Sequence, residues 1–400
     1  MRIINHFRIR NLPYILGLLL VLNSCNSDED DARFYHPAEF EKSESICFVW
    51  SEDYYTYIPR LISTLSKKDH VTIFAGSNAP DREHMLSVLE QYDATAENLR
   101  FMEMNILLDN VWIRDYGPVF LINGRGDKEL VRFQYFWSDP GFIEAYSAVT
   151  GYPVIQSPLQ STGGSREVNG KGTMILCEAH ENAVNQGISI QEIENELITK
   201  LKQKKIIWLK QGIPQDDNFR TGPIYDEIYP KGVNGHVDEF CRFADPNTIL
   251  ITSVSEQDAG RHPILAEARR RMESNIEILQ NSTDQDGKPI KVVRVPIAPL
   301  IISDRRQGPE GQLVTSVTSY MNFIISNSMI ILPSYVSETE EKPDLQEKEK
   351  EVVGIFERIF PDREIVRMRS DTLNYYSGGF HCISIHEPMT PLTKDDISSR

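Results

Sequence analysis

The sequence has few cysteines and none of the close spacings that hold a metal ion or a disulfide framework. Its five cysteines are spread over 400 residues, and neither a Cys-x-x-Cys pair nor a His-Glu-x-x-His motif occurs. A domain of this size can build a sufficient apolar core without cross-links. We therefore predict no metal site, structural or catalytic.

Basic residues are outnumbered, since 42 Lys and Arg stand against 58 Asp and Glu, which gives a formal net charge of -16. Such an excess of acid argues against a nucleic-acid-binding surface and is compatible with a cationic ligand. The chain is otherwise of ordinary globular composition, with 40% hydrophobic and 25% charged residues.

Long apolar runs are missing except near the N-terminus. Three arginines and no acid precede an apolar run over residues 15–22, which is too short to span a bilayer comfortably and is typical of a secretory signal. The run leads to Ser24-Cys25, an ending that resembles a bacterial lipobox. We predict a signal peptide over 1–24, lipidation of Cys25 and a solvated tether over 25–32; a chance cysteine is the alternative.

The predicted signal places the protein outside the cytoplasm. It would be an exported lipoprotein on the periplasmic or cell-surface face, held at the membrane by its N-terminal lipid. No linker interrupts the remaining sequence, so we expect one catalytic domain over 33–390 and a tail over 391–400.

From residue 45 onward, predicted strands and helices alternate, which indicates an α/β fold. Four later hairpins share one plan, and two of them turn at Asn-Gly, a signal for a tight turn. Each hairpin is followed by a helix and a short strand. These units recur about every seventy to eighty residues, which favours a radial repeat of about five units, a five-bladed α/β propeller. The hairpins are predicted at 117–122 with 130–136, 165–168 with 173–177, 236–243 with 248–251, and 319–325 with 329–332.

A candidate nucleophile lies near the C-terminus. The pair Gly378-Gly379 allows close backbone approach and leads to Cys382, at the start of a predicted strand of alternating Ile and Ser over 383–385. Taken alone, the cysteine is more typical of a small buried apolar residue.

Candidate acids and a histidine occur where two hairpins begin. Asp115 follows Arg114 at a Gly-Pro turn, and on its own this pair is typical of a turn cap. His236 and Asp238 are two residues apart on a predicted strand and so share a face. A polar strand edge facing solvent is the alternative for this second pair.

Together these side chains suit one chemistry. Two converging carboxylates can grip a guanidinium ion, which is planar and always cationic. A thiolate can attack the guanidinium carbon, and an imidazole can donate a proton to departing ammonia and later take one from water. No cofactor is needed for this reaction.

Five separated motifs make the sequence resemble the bacterial peptidylarginine deiminase and agmatine deiminase family. The resemblance runs in the family's order from Pro37 to Pro388, and it implies a five-bladed α/β propeller, or pentein, with the site on its axis. The motifs are Trp112-Ile113-Arg114-Asp115-Tyr116-Gly117-Pro118, Thr162-Gly163-Gly164-Ser165, Asn234-Gly235-His236-Val237-Asp238, Ser319-Tyr320-Met321-Asn322-Phe323 and Gly378-Gly379-Phe380-His381-Cys382.

The resemblance also implies roles for individual residues. Cys382 would be the nucleophile and His236 the general acid and base, while Asp238 and Asp115 would grip the guanidinium nitrogens. The remaining two substrate contacts would be Trp112, along the aliphatic arm of the substrate, and Asn322, a supporting polar contact. The implied products are a ureido compound and ammonia.

Departures from the family patterns leave the substrate open among agmatine, arginine and arginine-containing peptides. Thr162 stands where agmatine deiminases of the family typically have Glu, and Gly232-Val233 stands where they have Asp-Thr. The arginine pair expected in the exported peptidylarginine type is missing from 133–139. The lipoprotein-like start favours guanidino compounds or peptides met outside the cytoplasm.

Three other functions compete with this reading. An amidinotransferase of the same superfamily would pass the amidino group to an amine, and a surface lipoprotein with a degenerate site would only bind. A Cys-His-Asp protease fits less well, because His236 and Asp238 on one strand could not also form the usual orienting relay.

Overall fold

Five small β-sheets, most with a helix beside them, form the frame of the protein. The structure, a computed structural model, describes residues 31–52, 57–135, 140–303, 311–336 and 342–390. The predicted signal peptide, Cys25, most of the tether and the tail over 391–400 lie outside the described residues. No described helix is both long and apolar enough to cross a membrane.

The strands form five sheets of three or four strands and one small two-stranded sheet. In strand order these are β18-β1-β2-β3, β4-β5-β6, β7-β8-β9, β11-β12-β13, β15-β16-β17 and β10-β14. The strands are β1 (Ser43–Val49), β2 (Val71–Ala75), β3 (Leu99–Glu103), β4 (Val119–Ile122), β5 (Lys128–Gln134), β6 (Val154–Gln160), β7 (Arg166–Val168), β8 (Thr173–Cys177), β9 (Lys205–Leu209), β10 (Ile228–Tyr229), β11 (Cys241–Asp245), β12 (Thr248–Ser253), β13 (Lys291–Pro296), β14 (Leu313–Val314), β15 (Ile324–Ile325), β16 (Met329–Ser334), β17 (Glu364–Arg369) and β18 (Ile385–Pro388).

Each of the five sheets contains an antiparallel pair followed by a parallel strand. A helix makes the crossover to the parallel strand, as parallel pairing requires. The described α-helices are α1 (Tyr57–Ser66), α2 (Arg82–Glu90), α3 (Ile113–Tyr116), α4 (Phe142–Thr150), α5 (Glu178–Val184), α6 (Ile190–Lys200), α7 (Glu256–Ala259), α8 (Pro263–Gln280), α9 (Pro343–Ile359) and α10 (Asp371–Tyr375).

The predicted α/β class is confirmed, and the elements with strong local signals lie where the sequence places them. Helix α6 begins at a capping box, in which Ser189 accepts from the backbone of Glu192 and the Glu192 side chain accepts in return. Helix α8 begins with Pro263, and its buried face packs Met272 and Ile276 against Ile249 of β12.

The last strand closes the first sheet. Strand β18 pairs antiparallel with β1, in a register that sets Cys47 opposite Ile385. Cys382 lies three residues before this strand, so the pairing fixes the candidate nucleophile relative to the N-terminal sheet. The four described cysteines, including Cys47 and Cys382, are buried and unpaired.

The segment 35–41 runs across one end of the assembly of sheets. The His36 Nδ1 atom lies 3.1 Å from the carbonyl oxygen of Phe120 in β4, and Arg363, just before β17, donates to the carbonyl of Phe40 at 2.9 Å. Between these two contacts, Glu39 forms ion pairs with Arg242 of β11 and His386 of β18. Four sheets thus meet around one short segment.

Candidate active site

A large pocket, here called the front pocket, gathers most of the predicted site residues. Its volume is about 1360 Å³, and Trp112, Asp115, His236 and Cys382 are among the residues that line it. The other two predicted residues, Asp238 and Asn322, are fully buried and contact Cys382.

Cys382 lies in a turn, not at the start of a strand as predicted, because β18 begins only at Ile385. The preceding glycine pair is needed for close packing. A Cβ on Gly378 would lie 2.5 Å from the ring of Trp112, and a Cβ on Gly379 would lie 2.5 Å from Oδ1 of Asn322. Asn322 in turn donates to the Cys382 sulfur at 3.1 Å. The two glycines therefore allow the loop of Cys382 to pack against Trp112 and Asn322, and not against a ligand as the sequence suggested.

His236 and Asp238 also lie outside a strand. The strand predicted over 236–243 begins later than expected, since a 3-10 turn occupies Val237–Glu239 and β11 begins at Cys241, from where it pairs with β12 as the predicted hairpin requires. The reason is Asp216, whose buried carboxylate accepts from the backbone N–H groups of residues 233, 235 and 236 at 2.8–2.9 Å. Those donors would have paired with a neighbouring strand. The turn nevertheless directs His236 and Asp238 to the same region.

The imidazole of His236 lies among polar and aromatic groups. Its Nε2 is 3.0 Å from the hydroxyl of Thr162, and its Nδ1 is 4.0 Å from Oδ1 of Asp115. The ring of His180 packs edge-on at 4.8 Å between centroids. Burial lowers the pKa of His236 to about 4, with Arg166 adding to the effect and Asp238 opposing it. The imidazole is therefore neutral before a substrate binds.

Two carboxylates lie beside the thiol, and a third, Asp115, lines the same pocket. Oδ2 of Asp238 and Oε1 of Glu239 each lie 3.7 Å from Sγ of Cys382. A Cβ placed on Gly164 would be 2.8 Å from Nδ1 of His236 and 2.9 Å from Oδ2 of Asp238, so the imidazole and the acid both approach this glycine, and the same acid oxygen lies 3.7 Å from the thiol. Within the described structure, Oδ1 of Asp115, Oδ1 of Asp238 and Oε2 of Glu239 accept no hydrogen bond.

This acid cluster is electrostatically incomplete. Burial raises the pKa of Asp115 to about 8, and repulsion from Asp238 adds to the shift. Burial likewise raises the pKa of Glu239 well above its ordinary value, again with repulsion from Asp238. Burial and the nearby acids raise the pKa of the Cys382 thiol well above the ordinary value of cysteine. A cation bound here would reverse these repulsions.

Asp238 differs from the other acids because two neighbouring groups of the protein, His381 and Arg242, favour its ionised form. Burial alone would raise its pKa, but the hydrogen bond with His381, at 2.6 Å between Nδ1 and Oδ2, lowers the pKa below the ordinary value, and the charge on Arg242 helps. Asp238 is thus the carboxylate that is ionised throughout the neutral pH range.

A second, smaller pocket lies behind this group. This back pocket has a volume of about 80 Å³, and Glu39, Arg114, Arg166, His381 and His386 help to line it. Arg114 does not pair with Asp115, as the turn-cap alternative supposed, but with Glu39. Consecutive residues thus line opposite pockets, Arg114 the back and Asp115 the front.

Sequence reasoning missed three residues that contact the predicted ones. Glu239 directly follows Asp238, and His381 directly precedes Cys382, so their neighbourhood was visible in the motifs. Glu39 lies near the N-terminal end of the resemblance, yet no local pattern indicates that it reaches His381, with 2.8 Å between Oε2 and Nε2.

One cluster of described residues has the spacing of metal ligands. The ligand atoms of Asp238, Glu239 and Cys382 lie within 4.8 Å of one another. A small cation of either kind, a metal ion or the NH₂ edge of a guanidinium, could occupy such a group of oxygens and sulfur. Only a guanidinium also accounts for the presence of Trp112, Asp115 and His236 in the lining of the front pocket.

The chain matches the family described as Porphyromonas-type peptidyl-arginine deiminase over residues 35–388. It is 27% identical over 399 residues to the agmatine deiminase of Pseudomonas syringae pv. tomato, which covers 92% of this chain and 99% of the relative. The fold is similar to that of the agmatine deiminase of Enterococcus faecalis, with a TM-score of 0.71 at 22% identity, covering 89% of this chain and 96% of the other.

A second solved structure, agmatine deiminase of C. jejuni with substrate bound, aligns with a TM-score of 0.66 at 17% identity and covers 90% of this chain and 97% of the other. At these identities both structures show a shared mixed α/β fold. The family match spans every motif around the front pocket, from Trp112 to Cys382. The resemblance inferred from the motifs is thereby confirmed, and the chain belongs to the Porphyromonas-type peptidyl-arginine deiminase family.

Proposed function

We propose that the protein is a guanidino deiminase, which hydrolyses a guanidinium group to a ureido group and ammonia through a covalent intermediate on Cys382. The observation that supports this most directly is the pair of buried carboxylates, Asp238 and Glu239, each 3.7 Å from the thiol of Cys382, with the partly buried carboxylate of Asp115 in the pocket that the thiol lines. Their unpartnered oxygens need a planar cation with several donors, and a guanidinium ion is such a cation.

In the proposed first half-reaction, Sγ of Cys382 forms a bond to the guanidinium carbon, and one C–N bond breaks. The thiol proton passes by way of His236 to the departing nitrogen, which leaves as ammonia, and the remaining cation is an S-alkylthiouronium on Cys382. The positive charge of the bound substrate, between Asp238 and Glu239, lowers the cost of forming the thiolate beside those acids.

In the second half-reaction, water gives a proton to His236 and its oxygen attacks the thiouronium carbon. The C–S bond breaks, Cys382 regains a proton, and the ureido product leaves. His236 suits this role because its imidazole is neutral at the start, so it can accept a proton.

The names of the relatives and one feature of the front pocket point to different substrate tails. The three compared enzymes are agmatine deiminases, and agmatine ends in a cationic amine. In this chain the ammonium of Lys231 lines the front pocket, 3.6 Å from the centroid of the Tyr375 ring. A cation at that wall favours a tail with a carboxylate, as in free arginine or a C-terminal arginine, over a tail with an amine.

The test is a ureido-product assay with arginine, agmatine and peptides with internal or C-terminal arginine, together with measurement of ammonia. We expect product from at least one substrate and none from Cys382→Ala, with His236→Ala nearly as inactive and both variants folded. Equal activity in wild type and Cys382→Ala would overturn the mechanism.

The same assay separates the two competing functions. An amidinotransferase would release no ammonia with water as the acceptor and would make a new guanidino compound when an amine such as glycine is added. A surface protein that only binds would retain arginine or agmatine in calorimetry and make no product from either.

We also propose that the five sheets are the blades of a five-bladed propeller with the front pocket on its axis. The shared plan of the sheets and the contacts of the segment 35–41 with four of them support this arrangement. An experimental structure with a closed ring of five sheets would test it.

Export and lipidation remain predictions, and we propose them on the N-terminal sequence. A Cys25→Ala variant is expected to move from the membrane fraction to the soluble fraction of cells, and loss of a lipid mass on the N-terminal peptide should accompany the move. An unchanged distribution would contradict the anchor.

A further inference from the structure

The wall between the two pockets is only one residue thick. At two places the chain sends one residue to each side: Arg114 and His381 line the back pocket, whereas Asp115 and Cys382, their immediate neighbours, line the front pocket. A residue of the back pocket can therefore influence the acids beside Cys382 through a single intervening side chain.

His381 is the side chain that crosses the wall to Asp238. It is almost completely buried, with Nδ1 2.6 Å from Oδ2 of Asp238 and Nε2 2.8 Å from Oε2 of Glu39. The contact occupies Oδ2 of Asp238 and leaves Oδ1 without a partner among the described residues. One oxygen of the acid is thus held, and the other remains available.

Glu39 is itself held firmly. Its carboxylate pairs with Arg242 at 2.6 Å and with His386 at 3.2 Å, and it also pairs with Arg114. The charge on Arg114 and on His381 outweighs the effect of burial, so the pKa of Glu39 lies well below its ordinary value and the group stays ionised.

We propose that His381 and Glu39 are positioning residues for the deiminase site. His381 fixes the rotamer of Asp238 so that Oδ1 meets the guanidinium, and Glu39 fixes His381 from the back pocket. The inference rests on the proposed function, because it assigns a purpose to the free oxygen of Asp238. We call the two contacts, Glu39 with His381 and His381 with Asp238, the relay. Without the relay, the side chain of Asp238 can rotate, and the substrate is held less tightly and in a wrong position.

Two substitutions at residue 381 separate positioning from simple packing. The side-chain amide of asparagine reaches approximately the place of Nδ1, and that of glutamine approximately the place of Nε2. His381→Asn therefore keeps a donor to Asp238 and loses the contact with Glu39, whereas His381→Gln keeps the contact with Glu39 and leaves Asp238 unsupported.

We expect His381→Gln to lower kcat/KM by about 10- to 100-fold, the loss of one charge-assisted hydrogen bond, with most of the effect as a higher KM. His381→Asn should recover most of this loss, although both variants unfold at similar temperatures. Equal losses in the two variants, or a loss that follows the unfolding temperature, would overturn the proposal.

Glu39→Gln tests the outer part of the relay, with Glu387→Gln as the matched control. Glu387 is also a buried carboxylate with two cationic partners, Lys128 and Arg100, but it lines neither pocket. We expect both variants to lose stability and only Glu39→Gln to raise KM. A KM that rises equally in both, or in neither, would contradict a positioning role.

These outcomes differ from a failure of the proposed function. If wild-type protein makes no ureido product from any substrate of the panel, the deiminase assignment fails. If wild-type protein is active and His381→Gln has the same KM as wild type, the assignment stands and the relay is wrong. Binding of arginine and agmatine to His381→Gln in a Cys382→Ala background, measured by calorimetry, gives the KM effect without turnover.

Discussion

The two pockets contain acid clusters of similar size that are neutralised in opposite ways. In the back, Glu39 and Glu167 receive a guanidinium from the protein itself, since Arg242 pairs with them at 2.6 and 2.5 Å. In the front, Asp115 and Glu239 have no such cation within the described chain, and their pKa values are raised. In the back, burial also raises the pKa of Glu167 to about 8 although Arg242 opposes the shift, whereas the pKa of Glu39 lies well below its ordinary value. The back acids thus have an arginine partner within the fold, whereas no Arg or Lys of the described residues forms an ion pair with Asp115 or Glu239.

Arg242 also shows how this fold can hold a guanidinium. Besides the two carboxylates, it lies over the ring of Phe323, 4.6 Å from its centroid, and donates to the carbonyls of Met321 and Phe323 at 3.2 and 2.9 Å. The front pocket offers a comparable set, with Asp115 and Asp238 as the acids and Trp112 as the ring. The internal arginine is therefore a reference for the pose expected of a substrate.

The comparison is tested most strongly at Asp238. Asp238→Asn removes the charge that grips the substrate, so kcat/KM should fall by about 10²- to 10³-fold in the ureido assay. The free energy of unfolding should fall much less than the loss of kcat/KM would suggest, because the substitution also relieves the repulsion of Asp238 with Asp115 and Glu239. If the free energy of unfolding in urea falls by as much as the activation free energy from kcat/KM rises, the acids of the front pocket serve stability.

The opposite result is expected in the back cluster. Arg242→Met leaves Glu39 and Glu167 buried without their guanidinium, which should cost about 3–5 kcal/mol of unfolding free energy in urea titration. The folded fraction should keep measurable activity. Unchanged stability would contradict the view that Arg242 is the partner of these two acids within the fold.

The pH dependence should reveal Asp115. A folded-state pKa of about 8 against an ordinary value of 3.8 means that the folded protein binds the extra proton more tightly than the unfolded chain. The contribution of Asp115 to stability is therefore full below pH 3.8 and is lost as the pH rises to about 8. Activity needs the ionised carboxylate of Asp115. The value of kcat/KM should therefore rise with pH, up to about pH 8.

The matched variant for this prediction is Asp115→Asn. The variant should be less active, and its kcat/KM should not rise near pH 8. Its stability should also lack the decrease with rising pH that we assign to Asp115. If the rise persists in the variant, another group, such as Cys382 or Glu239, controls it.

The smallest effect is expected at the wall of the front pocket. Lys231→Met removes the cation that favours a tail carboxylate, so the ratio of kcat/KM for arginine to that for agmatine should fall by about fivefold. Lys68→Met, which breaks an exposed ion pair with Glu364, is the control and should leave the ratio unchanged. A ratio that does not move would exclude contact between Lys231 and the substrate tail.

Much of the fold could be predicted because its signals are local. The strand Thr173–Cys177 agrees with the sequence prediction, since an Asn-Gly turn precedes an uninterrupted apolar run. The helices expected after the hairpins are also present, for example Ile190–Lys200 and Pro343–Ile359, because their apolar spacing is a local signal. Pairing of β18 with β1 joins residues more than three hundred positions apart, and no local pattern indicates it.

The residues of the candidate site were predicted as one group, which the structure brings together, but their backbone was not predicted and their roles stay predictions. His236 and Cys382 were expected on strands and lie on turns, because Asp216 and Asn322, from distant parts of the chain, accept the backbone N–H groups there. Motif spacing could not reveal that Glu39 contacts His381 behind Asp238. Such long-range hydrogen bonds depend on the assembled sheets, which a one-dimensional pattern does not contain.

The closing strand has a consequence for when the enzyme matures during its synthesis. Cys382 and β18 leave the ribosome after every other sheet has been made, and β18 must return to β1 before the thiol meets the acids. The nascent chain is therefore expected to be inactive until β18 has paired with β1, the last step of its assembly.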